Sequence, residues 1–245
     1  MNILIMGAAG SGKGTMAHLI VQKYSIPHIS TGNMFRAHMY GNTPLGLEAR
    51  KYIDEGRLVP DDVTIRMIQE RLLEPDCLKG YLLDGYPRTL VQAEAFEDIA
   101  AQINRPVEAV INLKVQLDDL AERVTGRRVC EKCGSIFHIK AQPPKVSGVC
   151  DVCGGELIHR SDDTVQQLAV RLKEHVTMTQ PVLDFYSKKG LVFDINASRP
   201  IDEVFQDIDK VLEQLQGPQA NRSVKSNSCV KQEKSLLWLT KRWPR

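Results

Sequence analysis

The chain has 245 residues, 42% of them hydrophobic and 25% charged, with a net charge of +2 at pH 7. That length buries a full core, most simply one α/β domain with small insertions, and the near-balanced charge argues against a dedicated nucleic-acid binder. No apolar run reaches the roughly 18 residues that span a bilayer, and the apolar start at 1–6 is too short, and lacks the basic flank, for a secretory signal, so a cytoplasmic protein is expected.

Residues 2–6 are a short apolar run that leads directly into Gly7-Ala8-Ala9-Gly10-Ser11-Gly12-Lys13-Gly14-Thr15. A helix-period segment follows, with Ala17, Leu19, Ile20 and Tyr24 on one side. Strand, glycine loop and helix open a βαβ unit. Such a loop turns its N–H groups inward toward an anion, and the helix adds its positive end. The spacing Gly7-x-x-x-x-Gly12-Lys13 fits a phosphate loop in which Lys13 reaches the β- and γ-phosphates. The hydroxyl falls on Thr15, because Gly14 intervenes after the lysine. This predicts a bound nucleoside triphosphate and leaves the acceptor open.

Further short apolar runs lie at 28–30, 81–84, 109–113 and 191–195, separated by helical stretches. That alternation predicts a parallel sheet covered on both faces. Two segments, 30–59 and 126–163, interrupt it and read as insertions. Asp84-Gly85-Tyr86-Pro87-Arg88-Thr89 follows the third strand. Asp84 falls on the edge where parallel sheets bind ligands and is suited to hold water around Mg²⁺. Arg88 offers a planar fork for a phosphate. A helix cap followed by a surface arginine is the plainer alternative.

Of six cysteines, four form Cys130-x-x-Cys133 and Cys150-x-x-Cys153, sixteen residues apart. Brought together they give the closed tetrahedral set of structural zinc. Gly134, Gly154 and Gly155 permit the turns. Iron or cobalt also occupies four-thiolate sites. Such a metal folds an insertion that has little core of its own. Cys77 and Cys229 read as ordinary residues. The tail 217–245 carries seven basic residues against one acid, a charge of +6, and leaves −4 on the rest. Disorder is expected over 217–233, and the last twelve residues, with Trp238 and Trp243, could touch a membrane surface or a partner.

The runs 7–15, His28-Ile29-Ser30-Thr31-Gly32, 84–89 and Thr125-Gly126-Arg127-Arg128 together resemble the adenylate kinases in order and spacing, over about residues 1–215. The resemblance implies a P-loop NTPase-type, five-stranded parallel sheet in a domain over 1–216. The core would be 1–29, 60–125 and 164–216, with an AMP-binding flap at 30–59 and a zinc-bearing lid at 126–163. It further implies a monomer that converts ATP and AMP to two ADP with Mg²⁺, without nucleic-acid or membrane partners. AMP would meet Thr31, Arg36, Arg57, Leu58, Val59, Gly85, Tyr86, Pro87, Arg88, Gln92, Arg160 and Arg171. ATP would meet Gly10, Ser11, Gly12, Lys13, Gly14, Thr15, Arg123, Arg127, Ile136, Phe137 and the Arg199 backbone. Lys13, Asp84, Arg88, Arg127, Arg160 and Arg171 would surround the moving group, since phosphoryl transfer needs positioning and charge neutralisation rather than a base. The cysteine spacing matches the zinc-bearing branch, and Pro87 a proline after a cis peptide bond.

Arg123 and Arg127 are four apart, on one side of the helix ending at Gly126, and the resemblance puts Arg123 against the adenine of ATP. Arg160 and Arg171 are eleven apart and would share a face of any helix running between them. Asp162 and Asp163 match hinge acids. The sequence departs from the family pattern at Ala9 for proline, Met16 for glutamine, Asn33 for aspartate and Tyr86 for phenylalanine. Two alternatives stand beside this reading. One is a kinase of another nucleoside monophosphate, against which Thr31 and Gln92 fall on AMP-selecting positions. The other is a zinc ribbon that binds nucleic acid through the basic tail, against which 129–160 is weakly basic and holds only Phe137 for stacking.

Overall fold

The structure, a computed structural model, describes residues 1–216. The expectations for Cys229, for 217–233 and for Trp238 and Trp243 lie outside the described residues. In chain order the first elements are β1 (Asn2–Gly7), α1 (Lys13–Tyr24), β2 (His28–Ser30), α2 (Thr31–Tyr40), α3 (Pro44–Ile53), α4 (Asp61–Leu72), β3 (Tyr81–Asp84) and α5 (Leu90–Gln102). They are followed by β4 (Ala109–Lys114), α6 (Leu117–Thr125), β5 (Arg127–Cys130), β6 (Ile136–His138), β7 (Leu157–Ile158), α7 (Val165–Glu174), α8 (Gln180–Lys188), β8 (Val192–Asn196) and α9 (Ile201–Gln216).

The main sheet has the order β2-β3-β1-β4-β8, and every pairing is parallel. Side chains alternate across a strand, so a sheet covered on both faces needs apolar residues at consecutive positions. Ile3, Ile5, Leu82, Ile111 and Leu113 face Ala17 and Ile20 of α1 and Ile208 and Leu212 of α9. Leu4, Met6, Leu83 and Val110 face the other way, onto Ile68 of α4, Phe96 of α5 and Leu183 of α8. Each such side chain is fully or almost fully buried, which contributes about 1.5–3 kcal/mol apiece. Truncating Ile5 to alanine would remove that and leave a void, at about 2–5 kcal/mol.

The two insertions carry small clusters of their own. Phe35, Ala49 and Val59 meet Met67 of α4 beneath the α2–α3 pair. The second insertion folds as an antiparallel sheet, β6-β5-β7, over Cys130, Phe137, Cys150 and Leu157.

Two helical expectations fail. α6 ends at Thr125, so Arg127 opens β5 and does not share a helix with Arg123. No helix joins Arg160 to Arg171 either. Asp163 N–H donates to the Arg160 carbonyl in a turn, and the Thr164 side chain caps α7 by accepting from Gln167 N–H at 3.2 Å. A capped start fixes the first helical residue at Val165, after Arg160.

Candidate functional site

The glycine loop runs from the end of β1 to the start of α1. Gly7 has φ +140°, and a Cβ there would lie 2.7 Å from both the Leu113 carbonyl oxygen and Ser11 Oγ, so only glycine fits. Gly12, at φ 94°, precedes α1 without any side-chain cap, which leaves the helix's first N–H groups open to an anion. Lys13 folds back over the loop, donating from Nζ to the carbonyls of Gly7 at 2.7 Å and Ala8 at 2.8 Å. Ser11 Oγ is buried without a partner among the described residues. Gly14 faces the β6-β5-β7 sheet, where a Cβ would lie 2.5 Å from Ile136 Cδ1.

Around this loop six cations meet three carboxylates: Lys13, Arg36, Arg88, Arg127, Arg160 and Arg171 against Asp84, Asp162 and Asp163. Asp163 has no exposed surface, and it accepts from Arg127 Nε at 2.8 Å. Arg171 Nη1 lies 3.1 Å from Asp162 Oδ2 and 3.6 Å from Asp163 Oδ1. The turn at 160–163 therefore unites Arg160 and Arg171 about the acidic pair, where the sequence pointed to a helix. Burial holds Lys13 down to about 7, with Asp84 opposing and Arg88, Arg171 and Arg127 adding to the effect. Burial likewise lowers Arg88 to about 10 and Arg160 to about 9, each with neighbouring arginines contributing. Arg160 Nε is buried with no acceptor among the described residues. A cluster with surplus positive charge and orphaned donors has the electrostatics of a polyanion site.

Asp84 ends β3 with its Oδ2 3.2 Å from His28 Nε2. Burial pushes its carboxyl up, but the His28 contact and the charges of Lys13 and Arg88 outweigh that and hold it below the usual range. An ionised carboxylate close to Lys13 of the glycine loop is a hard oxygen donor of the kind Mg²⁺ takes, chiefly through water.

An open cleft lies beside the cluster. Thr31, Arg36, Arg57, Leu58, Val59, Gly85, Arg88, Gln92 and Arg171 line it, as does Asp162. Gly32, Phe35, Ile53, Gly56 and Thr64 also line it, though the sequence reading assigned none of them to a nucleotide. Their signal was only membership of the flap and the start of α4. Gly85 sits at φ 70°, where a Cβ would crowd Arg88 Nη2 at 2.9 Å, and its carbonyl accepts from Arg88 Nε at 2.7 Å and Thr31 Oγ1 at 3.2 Å. Asn33 holds Arg36, accepting from Nη2 at 2.7 Å. The Tyr86–Pro87 bond is cis.

Several named residues stand apart from the cleft. The Tyr86 ring is wholly buried edge-on against Phe96, and Phe137 is packed into the small lid cluster, so neither ring is offered to a ligand. Their backbones alone remain available. Arg123 Nη1 donates to the Ala197 carbonyl at 3.1 Å. The Arg199 side chain turns to Asp207 on α9, leaving its backbone. Arg160 lines a neighbouring cleft between the two insertions, with Arg36 and Asp54.

Cys130, Cys133, Cys150 and Cys153 bring four Sγ atoms within 4.8 Å of one another. Two of the separations are 3.4 Å (Cys130–Cys153) and 3.6 Å (Cys133–Cys150). A tetrahedron with metal–sulfur bonds of about 2.3 Å has sulfurs about 3.8 Å apart, so the set fits a tetrahedral thiophilic ion. The two turns repeat each other. Gly134 N–H donates to the Cys130 carbonyl and Gly154 N–H to the Cys150 carbonyl, both at 2.9 Å, with the glycines at φ 74° and 70°. No disulfide joins these thiols.

The adenylate kinase family model matches residues 5–191. The adenylate kinase of Geobacillus sp. strain WCH70 is 53% identical over 216 residues, covering 88% of this chain and all of the relative. That of Bacillus subtilis strain 168 is 51% identical over 212 residues, covering 86% and 98%. That of Carboxydothermus hydrogenoformans is 50% identical over 213 residues, covering 87% and all of the relative.

Proposed function

Because the chain belongs to the adenylate kinase family, we infer that the glycine loop holds ATP and the flap cleft holds AMP, on either side of the cation cluster, and that a phosphoryl group passes directly between them. The chain is a nucleoside monophosphate kinase acting on ATP, AMP and ADP. One observation carries the assignment of residues: six cations face three carboxylates between the glycine loop and the flap cleft. Their surplus charge has no counterpart among the described residues and matches the phosphates of two nucleotides.

In this reading the loop 10–15 cradles the triphosphate, and Lys13 leaves the Gly7 and Ala8 carbonyls for phosphate oxygens. Arg36 and Arg88 hold the monophosphate's phosphate, while Thr31, Val59 and Gln92 hold its base. Arg127, Arg160 and Arg171 draw in around the transferred group. The acceptor oxygen is already ionised near neutral pH, so no base is needed. Asp84 is the residue to hold Mg²⁺ through its water shell, and the ion, when bound, neutralises charge on the triphosphate. The segments 30–59 and 126–163 act as flap and lid, excluding water that would otherwise take the phosphoryl group. Their meeting is supported by Ser161 Oγ donating to Asp54 Oδ1 at 3.3 Å.

The four thiols hold zinc in a closed, structural site that fastens the lid. Free thiols in metal-binding geometry fit a reducing cytoplasm, and the protein acts as a monomer. No described helix is long and apolar enough to cross a membrane. A coupled assay of ADP formation from ATP with AMP, GMP or UMP tests the function. AMP is the expected acceptor, and a preference for either of the others would overturn the base assignment.

A further inference from the structure

Gln92 stands in the first turn of α5, 2% exposed, on the wall of the flap cleft. A carboxamide has two lone pairs on its oxygen and two N–H bonds on its nitrogen. Here one of each is already engaged. The main-chain N–H of Arg88 donates to Gln92 Oε1 at 2.8 Å, and Gln92 Nε2 donates to Asp61 Oδ1 at 2.8 Å. An amide N–H only donates and a carboxylate only accepts. Turning the Gln92 amide over would oppose N–H to N–H and oxygen to oxygen, so its orientation is dictated by its neighbours. Asp61, the first residue of α4, is itself fixed. Its Oδ2 accepts from Thr89 Oγ1 at 3.0 Å, and Thr89 Oγ1 accepts from Gln92 N–H at 3.1 Å as the cap of α5.

We propose that Asp61 is a specificity-determining residue acting through Gln92: it locks the amide so that the cleft accepts a 6-amino purine and rejects a 6-oxo purine. The amide keeps one lone pair on Oε1 and one N–H on Nε2. The adenine edge offers an amino donor at C6 and an acceptor at N1, which complement that pair. Hypoxanthine and guanine offer an oxygen at C6 and an N–H at N1, which meet like with like. A glutamine free to turn over would greet both edges equally well. The direction of the lock therefore decides the base, and Asp61 supplies half of it from another helix. This deepens the reading of Gln92 as the base-facing residue of the AMP cleft and rests on it.

The test compares kcat/KM for AMP with that for inosine monophosphate, the 6-oxo purine nucleotide without a 2-amino group, in the full-length enzyme. Asp61→Ala should lower the AMP-to-inosine-monophosphate ratio by about 10- to 100-fold, chiefly through a raised KM for AMP, with the KM for ATP unchanged as the measure of an intact fold. Asp61→Asn keeps the shape and can turn either an oxygen or an N–H to Gln92, so its ratio should fall to an intermediate value. It also decides the matter if the alanine variant does not fold. Gln92→Leu should lose the ratio as well, and the Asp61→Ala/Gln92→Leu pair should lose no more than Gln92→Leu alone. If Gln92→Leu loses the ratio while both Asp61 variants keep it, the role of Asp61 is overturned and that of Gln92 stands. An unchanged ratio in Gln92→Leu overturns both.

Discussion

Arg127 and Asp163 lie 36 positions apart in sequence and join across the neck of the lid, with Arg127 Nε donating to Asp163 Oδ2 at 2.8 Å. Arg127 opens the first lid strand and Asp163 closes the turn that leaves it, so the pair ties the lid's entry to its exit. Asp163 is fully buried. Removing its partner leaves a desolvated carboxylate, which costs more than the pair itself contributes. Arg127→Met should lower unfolding free energy by about 3 kcal/mol, with Arg171 limiting the loss. Adding Asp163→Asn should recover part of it. Denaturant unfolding reads both. An Arg127→Met variant as stable as the parent would show the pair to be incidental.

Arg88 has a different weight. Its Nε donates to the Gly85 carbonyl, and burial with the repulsion of Arg171 already lowers it to about 10. The fold gains little from such a group, whereas the proposed transfer of phosphate relies on it. Arg88→Ala should reduce kcat by at least about 100-fold, with thermal unfolding near that of the parent. Turnover within a few fold of the parent would remove Arg88 from the reacting centre.

The thiol cluster makes a third expectation. Protein purified without chelator should carry one zinc per chain. Stripping it should speed hydrogen exchange over β5, β6 and β7, whose own cluster is only four buried residues, while β1, β3 and β4 stay protected. Exchange that rises equally in the main sheet would mean the metal supports more than the lid.

The main sheet was legible because its strands are consecutive apolar runs between glycines and polar turns. Residues 28–30 and 81–84 coincide with β2 and β3. β1 and β4 each extend one residue further, as Gly7 pairs with Leu113 and Lys114 with Asn196 in the ladder. The last strand lies one residue later than read, at Val192–Asn196. The lid strands are two to four residues long, too short for any period to appear. The relation of Arg160 to Arg171 was misread for want of one local signal, Thr164-x-x-Gln167, a capping pattern that starts the helix after Arg160. The π-helical turn His175–Thr179, which sends Thr179 Oγ1 to the Arg88 carbonyl at 3.2 Å, has no comparable mark in the sequence. Asp61 was invisible for another reason. It reaches Gln92 across 31 positions, and a single acid at a helix start reads as an ordinary first-turn charge.

Lys13 links the site to pH. Burial is the main cause of its lowering to about 7 from 10.5, so the free enzyme holds it largely neutral above that point. Phosphate oxygens favour the charged form. Between about pH 7 and 10.5 the bound state therefore carries more protons on this group than the free state. Nucleotide binding in that window should take up close to one proton, and affinity should fall with rising pH. Below about pH 6 the uptake on this group should vanish. Calorimetric titration in buffers of different ionisation enthalpy measures the proton number. No uptake at about pH 8.5 would contradict this.

The most direct test of two nucleotides meeting across one cation cluster is to give the purified protein ADP and magnesium alone and follow the phosphorus resonances to equilibrium. The account predicts that ATP and AMP appear together in equal amounts, reaching the same mixture that ATP and AMP reach from the other side. Unchanged ADP, or release of inorganic phosphate in place of ATP, would contradict it.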